Sequence, residues 1–299
     1  ANLQYTSDHG GRPYPLEMRE WNNFLGEQQD LFEEIFNAFP PDYRGFPSLI
    51  RLETAGGRNK PLATEWYVDQ FISVNIEDPV ENIFQGLRSL HAHGLPEELR
   101  VDGIMEFVRS PLDTSEPQRE AAGERPAPTA RRDTAKLQPD SFCVVSRPEL
   151  TEGSREMTFV SEFKTFNVCS EEDARKIFVP RGNFGPTHLQ EMQLTVAQRS
   201  IVCQAYQYVM QSFTGFGILT TGKVFVFLRV DWNEPGVLYF HVSTPDMDVI
   251  QARARDEAED AANGVQGDEN TRAFSLAWTG NASSYLRKPP KMAQGAMTI

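Results

Sequence analysis

Three charged side chains lie close to two apolar segments of this chain, and their types and spacing suggest chemistry. Asp140 comes just before the apolar segment 141–146. Glu162 and Lys164 lie two residues apart within the β-rich segment 157–167. Residues two apart in a strand share a face of the sheet, so Glu162 and Lys164 project together. Charges on the inner face of a sheet are costly unless they meet a metal, a substrate or one another.

A hairpin formed by these two segments would bring Asp140 beside Glu162. Two carboxylates and an ammonium group are what metal-assisted hydrolysis of a phosphodiester requires. The carboxylates would hold Mg²⁺ or Mn²⁺, and Lys164 would orient the attacking water or help to deprotonate it. The competing interpretation is a surface hairpin in which Glu162 and Lys164 form an exposed ion pair, worth about 0 to 1 kcal/mol.

These motifs resemble the PD-(D/E)xK nuclease superfamily. The dipeptide PD ending at Asp140 is similar to its PD element, and the triplet EFK starting at Glu162 is similar to its (D/E)xK element, with 21 residues between the two. The resemblance implies that Asp140, Glu162 and the Phe163 carbonyl bind the metal ion and that Lys164 is the catalytic lysine. It covers roughly residues 65–245 and is similar to nuclease-like domains of fungal proteins.

Two helical segments carry further candidate site residues. Gln204 and Tyr208 match the QxxxY pattern of some superfamily members, although a hydrogen-bonding pair at the edge of the core explains the same spacing. An acid from an upstream helix often completes such a site. We expect Glu81 in this role, with Glu65 and Glu77 as alternatives.

The charge of the chain is unevenly distributed. The net charge is −13, which weighs against a nucleic-acid partner for the whole chain, because phosphate binding needs clustered Lys and Arg. Residues 131–230 carry 12 Lys and Arg against 10 Asp and Glu, a net charge of +2, so the remainder carries −15. The candidates for phosphate contacts are Arg175, Lys176, Arg181 and Arg199. A merely solvated set of charges is the alternative.

The pattern along the chain predicts an α/β fold with a central mixed sheet flanked by helices, a restriction-endonuclease-like core. We expect a helical N-terminal extension over residues 1–62 and a nuclease-like domain over residues 63–299, with mobile loops at about 111–136 and 251–272. The predicted helices are 15–39, 63–90 with an interruption at 77–79, and 186–213. The predicted strands are 103–110, 141–146, 157–167, 224–230 and 237–243.

The composition limits where the protein acts and what it binds. Three cysteines without close spacing argue against a disulfide framework, and no apolar run is long enough to cross a bilayer. We therefore expect an intracellular protein of the nucleus or cytoplasm, with no membrane association. The expected function is a Mg²⁺-dependent nuclease acting on DNA. The alternative is a catalytically inactive nuclease-like module that recognises a protein partner through its acidic surface. Oligomeric state and the choice between DNA and RNA stay open.

Overall fold

The structure of the chain is a computed structural model. It describes residues 6–7, 13–40, 43, 62–90, 95, 99–101, 103–109, 139–147, 155–181 and 195–245. The predicted loops at 111–136 and 251–272 lie outside the described residues. The described part is an α/β fold, a seven-stranded mixed sheet with helices packed on both faces.

The elements have the following bounds. The helices are α1 (Phe24–Ala38), α2 (Glu65–Ile72), α3 (Asp78–Leu90), α4 (Glu171–Ile177) and α5 (Val196–Ser212), with a π-helical turn (Ser73–Glu77) between α2 and α3. The strands are β1 (Thr6–Ser7), β2 (Pro13–Tyr14), β3 (Glu17–Glu20), β4 (Ile104–Val108), β5 (Ser141–Ser146), β6 (Arg155–Phe163), β7 (Phe216–Thr220), β8 (Phe225–Val230) and β9 (Val237–Ser243).

The large sheet has the strand order β3-β9-β8-β7-β6-β5-β4, and β1 and β2 form a separate hairpin. β6 pairs with β7 in parallel, as β3 does with β9, and the other neighbours are antiparallel. The five strands predicted from the sequence correspond to β4, β5, β6, β8 and β9. Strand β7 was not predicted. It begins only three residues after Phe213, the residue that caps α5 in the left-handed conformation, so the strand follows the helix almost directly.

The prediction of a single helix over 15–39 is wrong in its first part. That part forms β3, an edge strand paired with β9, in which Met18 is buried. Glu17 and Arg19 flank Met18 and form an ion pair at 2.6 Å. Pairing with a distant strand overrides the local helical pattern. The N-terminal region 1–62 therefore contributes a strand to the main sheet as well as helix α1.

The helix predicted over 63–90 is not broken at the expected interruption, 77–79, because a π turn joins α2 to α3 there. The amide of Asp78 donates to the Ser73 carbonyl five residues earlier, which is the hydrogen bond of a π turn. Pro79 has no amide proton, and its ring would clash with the carbonyl four residues before it in a regular helix. The wider turn accommodates this proline, and the chain continues as α3. Within the described ranges, no helix is both long and apolar enough to cross a membrane.

Helix α5 covers one face of the sheet, the face on which Val160 of β6 lies. α5 packs against β6 and β7, and a Cβ atom at Gly217 would lie 2.6 Å from the Val209 side chain. Glycine at this position therefore permits the close approach of α5 to the sheet. Val160, Tyr208 and Leu219 belong to the core between them.

Candidate active site

Asp140 and the ExK triplet meet at one end of the β5–β6 pair. The two strands are antiparallel, with Ser141 opposite Ser161, so Asp140 and Glu162 lie at the same end. The Phe163 amide donates a hydrogen bond of 2.6 Å to Asp140 Oδ2. This bond holds the Asp140 carboxylate against the backbone of the triplet.

Glu162 is the most deeply buried carboxylate of this group. Only 4% of the residue is exposed, and its Oε1 accepts a hydrogen bond from Lys164 Nζ. Its Oε2 is buried and has no hydrogen-bond partner within the described residues. Buried polar atoms are nearly always paired, because an unpaired one costs free energy. The unpaired oxygen is therefore the atom of this group that a proton or a bound ligand would satisfy.

A helical acid also reaches the group. Lys164 Nζ lies 3.9 Å from Glu65 Oε1, and Glu65 is the first residue of α2. Thr64 caps this helix end, since its side chain accepts a hydrogen bond from the Tyr67 amide. The structure thus brings Asp140, Glu162 and Lys164 together with Glu65, which was an alternative to Glu81 in the sequence analysis.

The electrostatics of the group reflect burial and close carboxylates. Burial, followed by the charge of Asp140, raises the pKa of Glu162 to about 7, against the opposing effect of Lys164. Burial also raises the pKa of Asp140, although the hydrogen bond from Phe163 and the charge of Lys164 oppose it. For Lys164, burial lowers the pKa, but Glu162, Asp140 and Glu65 outweigh it and the net shift is upward. A divalent cation would relieve the repulsion between the two carboxylates.

Gln204 and Tyr208 approach the group from α5. Gln204 Nε2 donates a 2.8 Å hydrogen bond to the Tyr208 hydroxyl oxygen. Burial raises the pKa of Tyr208, while the charges of Glu162 and Lys164 also act on it. Because the Tyr208 oxygen accepts from Gln204, its own proton remains available for donation. The pair is thus a hydrogen-bonded contact at the edge of the core, close enough to Glu162 and Lys164 for their charges to act on Tyr208.

Glu81 lies elsewhere, on α3. Its Oε1 accepts a 2.9 Å hydrogen bond from the Phe107 amide of β4, the last strand of the sheet order. An edge strand presents unpaired amides, and a carboxylate from a covering helix satisfies one of them. Glu81 therefore caps the sheet edge, whereas Glu65 is the helical acid near Lys164.

We expect Glu81→Ala to lower the free energy of unfolding by about 1 kcal/mol, because the Phe107 amide loses its partner. The affinity for Mn²⁺ should not change. Urea denaturation and calorimetric Mn²⁺ titration measure the two effects. Glu156→Ala, which removes a surface ion pair with Arg147 at 3.2 Å, is the matched control and should change neither quantity appreciably. A loss of Mn²⁺ affinity in Glu81→Ala would place Glu81 in the site.

The four predicted phosphate-binding residues divide among different parts of the fold. Arg175 and Lys176 lie on α4, and each pairs with a Glu four residues earlier. Arg181 forms a backbone bridge with Met18 on the outer side of β3, with three strands between β3 and β6. Arg199 lies near the start of α5. Gln198 of α5 donates to Asp173 of α4 at 2.8 Å, so the helices that carry Arg175, Lys176 and Arg199 adjoin, and phosphate binding by the four residues stays a prediction.

The oxygen ligands present suit a hard cation that retains water. The described residues contain no group of three or more His, Cys, Asp and Glu side chains arranged to hold a metal ion. Mg²⁺, however, is commonly bound by one or two carboxylates and several waters. Asp140, Glu162 and the unpaired Glu162 oxygen fit this requirement.

The sequence analysis missed a second polar cluster on the other side of the same strands. Arg109, just after β4, donates to Asp69 at 2.6 Å, to Glu77 at 2.5 Å and to Ser141 at 2.7 Å. The only sequence signal was an arginine directly after the apolar segment that forms β4. Its partners come from the helix and from β5, so spacing along the chain does not reveal the cluster.

Comparison with known proteins adds no assignment. No protein-family model, no curated protein and no solved structure matches the chain. The nuclease resemblance therefore rests on the motif residues and their arrangement.

Proposed function

We propose that this protein is a Mg²⁺- or Mn²⁺-dependent nuclease that hydrolyses phosphodiester bonds, with DNA as the expected substrate. One observation carries the proposal. Asp140, Glu162 and Lys164 gather at one end of β5 and β6, and a buried Glu162 oxygen there lacks a hydrogen-bond partner within the described residues. Carboxylates flanked by a lysine are suited to bind a cation and orient water.

The order and direction of the elements also support the proposal. A helix (α2–α3) is followed by three antiparallel strands (β4, β5 and β6), then by a helix (α5) and by a strand (β7) parallel to the third. We propose that these elements form the restriction-endonuclease-like core that the sequence resemblance implies. Under this proposal, β3 and α1 are additions to that core, and β8 and β9 extend its sheet.

Each residue of the group has a role in the proposed reaction. Asp140 and Glu162 would hold the cation, with the Phe163 carbonyl as a further oxygen ligand. The bound cation would supply positive charge to a phosphate oxygen. Lys164 would orient the attacking water and stabilise charge on the phosphate. Because Lys164 contacts the carboxylate that the cation would bind, cation binding would free its amine for these contacts.

The test is cleavage by the purified full-length chain. Supercoiled plasmid, linear duplex, single-stranded DNA and RNA are incubated with Mg²⁺ or Mn²⁺, each with and without EDTA. We expect nicking or degradation of at least one substrate, and chelation should stop it. Absence of cleavage with every substrate and both metals would overturn the proposal.

Cleavage and binding measurements together identify the alternative. A catalytically inactive module that recognises a protein partner would neither cleave nor bind nucleic acid at any salt concentration. Binding to duplex or single-stranded DNA is therefore measured at two salt concentrations. Affinity that falls steeply with salt indicates phosphate contacts, since each neutralised phosphate on duplex DNA releases about 0.9 counterion.

A further inference from the structure

We propose that Arg109 is a positioning residue that holds Asp140 and Phe163 in place from the opposite face of the sheet. The inference rests on the proposed function only in taking Asp140 as a cation ligand. Arg109 acts through its neighbours and is not a catalytic residue.

The contacts of Arg109 converge on the two residues that fix Asp140. Its Nη1 donates a 2.7 Å hydrogen bond to the hydroxyl of Ser141, the residue directly after Asp140. Its guanidinium carbon lies 5.7 Å from the centroid of the Phe163 ring, within the range of a cation–π contact. Phe163 in turn donates its amide to Asp140. One side chain thus contacts both neighbours of Asp140. Ser141 follows Asp140 in the chain, and Phe163 donates its amide to the Asp140 carboxylate.

The guanidinium is itself fixed by two helical carboxylates. Arg109 Nε donates to Asp69 at 2.6 Å, while Nη1 and Nη2 donate to the two Glu77 oxygens at 3.0 and 2.5 Å. The Ser141 hydroxyl also donates to Glu77, at 2.9 Å. A planar guanidinium whose two Nη atoms both donate to one carboxylate has a fixed orientation, which an ammonium group cannot reproduce.

The π turn explains why a helical glutamate lies here. Glu77 is the last residue of that turn and is only 3% exposed. From this turn Glu77 reaches Arg109, just after β4, and Ser141 at the start of β5, so its carboxylate lies at the end of these two strands. Pro79, two residues later, favours this geometry. The sequence EDP is thereby linked to the position of Asp140 through Glu77 and Arg109.

The decisive variant is Arg109→Lys. It keeps a positive charge for Glu77 but loses the paired hydrogen bonds and the planar contact with Phe163. Hydrogen exchange of the Phe163 amide, followed by NMR with ¹⁵N-phenylalanine labelling, reports on its bond to Asp140 without metal or substrate. We expect exchange to accelerate about tenfold and the Mn²⁺ dissociation constant to rise about tenfold, the lower end of the loss seen when a partner of a metal ligand is removed.

Arg147→Lys is the matched control, because Arg147 pairs with Glu156 across the same two strands at their other end. It should change neither quantity. If Arg109→Lys does not fold, Ser141→Ala removes a single Arg109 contact and is measured in the same way. Unchanged Phe163 exchange in the folded variant would overturn the inference. If exchange accelerates but wild-type protein neither binds Mn²⁺ nor cleaves nucleic acid, the proposed function fails and the positioning role of Arg109 stands.

Discussion

Lys164→Ala is expected to lower nuclease activity by about 10²- to 10⁴-fold, the range for a side chain that assists proton transfer or orients the reacting water. Lys164 Nζ contacts Glu162 and lies 3.9 Å from Glu65, so it is placed among the carboxylates and not in the apolar core. The fold should therefore persist, although with lower stability, because the buried Glu162 carboxylate loses the hydrogen bond from Lys164. Initial rates with the best substrate, together with circular dichroism, measure activity and fold.

Lys223→Ala is the control for this prediction. Lys223 is exposed, and its Nζ lies 5.0 Å from the Phe166 ring centroid, two residues beyond Lys164 in the chain. Activity should be close to wild type in this variant. Equal rates in wild type and Lys164→Ala would contradict a catalytic role for Lys164, and loss of activity in both variants would indicate a general charge effect.

The part of the site formed by local structure was predictable from sequence. Segments 141–146 and 157–167 have the composition of strands separated by a polar turn, and their hairpin pairing brings Asp140 to Glu162. Side-chain alternation in a strand then places Lys164 on the same face as Glu162. These inferences need only the strand period and one short connection.

The part that depends on distant elements was not predictable. β3 forms by pairing with β9, more than 200 residues further along the chain, and a short segment such as EMRE carries no signal for that contact. The sequence could not decide between Glu65 and Glu81 as the acid near Lys164 for a different reason. The π turn lies between these two residues, so helical spacing cannot be extended from one to the other.

Glu162→Met is expected to abolish cation binding and to cost less stability than the removal of a fully hydrogen-bonded buried carboxylate. Glu162 is buried, one of its oxygens has no hydrogen-bond partner within the described residues, and burial raises its pKa to about 7. Lys164 keeps Asp140 and Glu65 as neighbouring charges when Glu162 is removed. The lost hydrogen bond to Lys164 is offset by removal of a buried charge with one unpaired oxygen, so the free energy of unfolding should change by less than about 2 kcal/mol.

Glu77→Met is the matched control and should destabilise the protein more. Glu77 is buried to the same degree, but both of its oxygens accept hydrogen bonds from Arg109. Its removal leaves Arg109 and Ser141 without that partner, so the free energy of unfolding should fall by about 3 to 5 kcal/mol. Urea denaturation compares the stability losses of the two variants, and Mn²⁺ titration gives the affinity. If both substitutions destabilise equally, Glu162 and Lys164 form a structural ion pair. The buried Glu162 carboxylate is then accounted for without a bound cation.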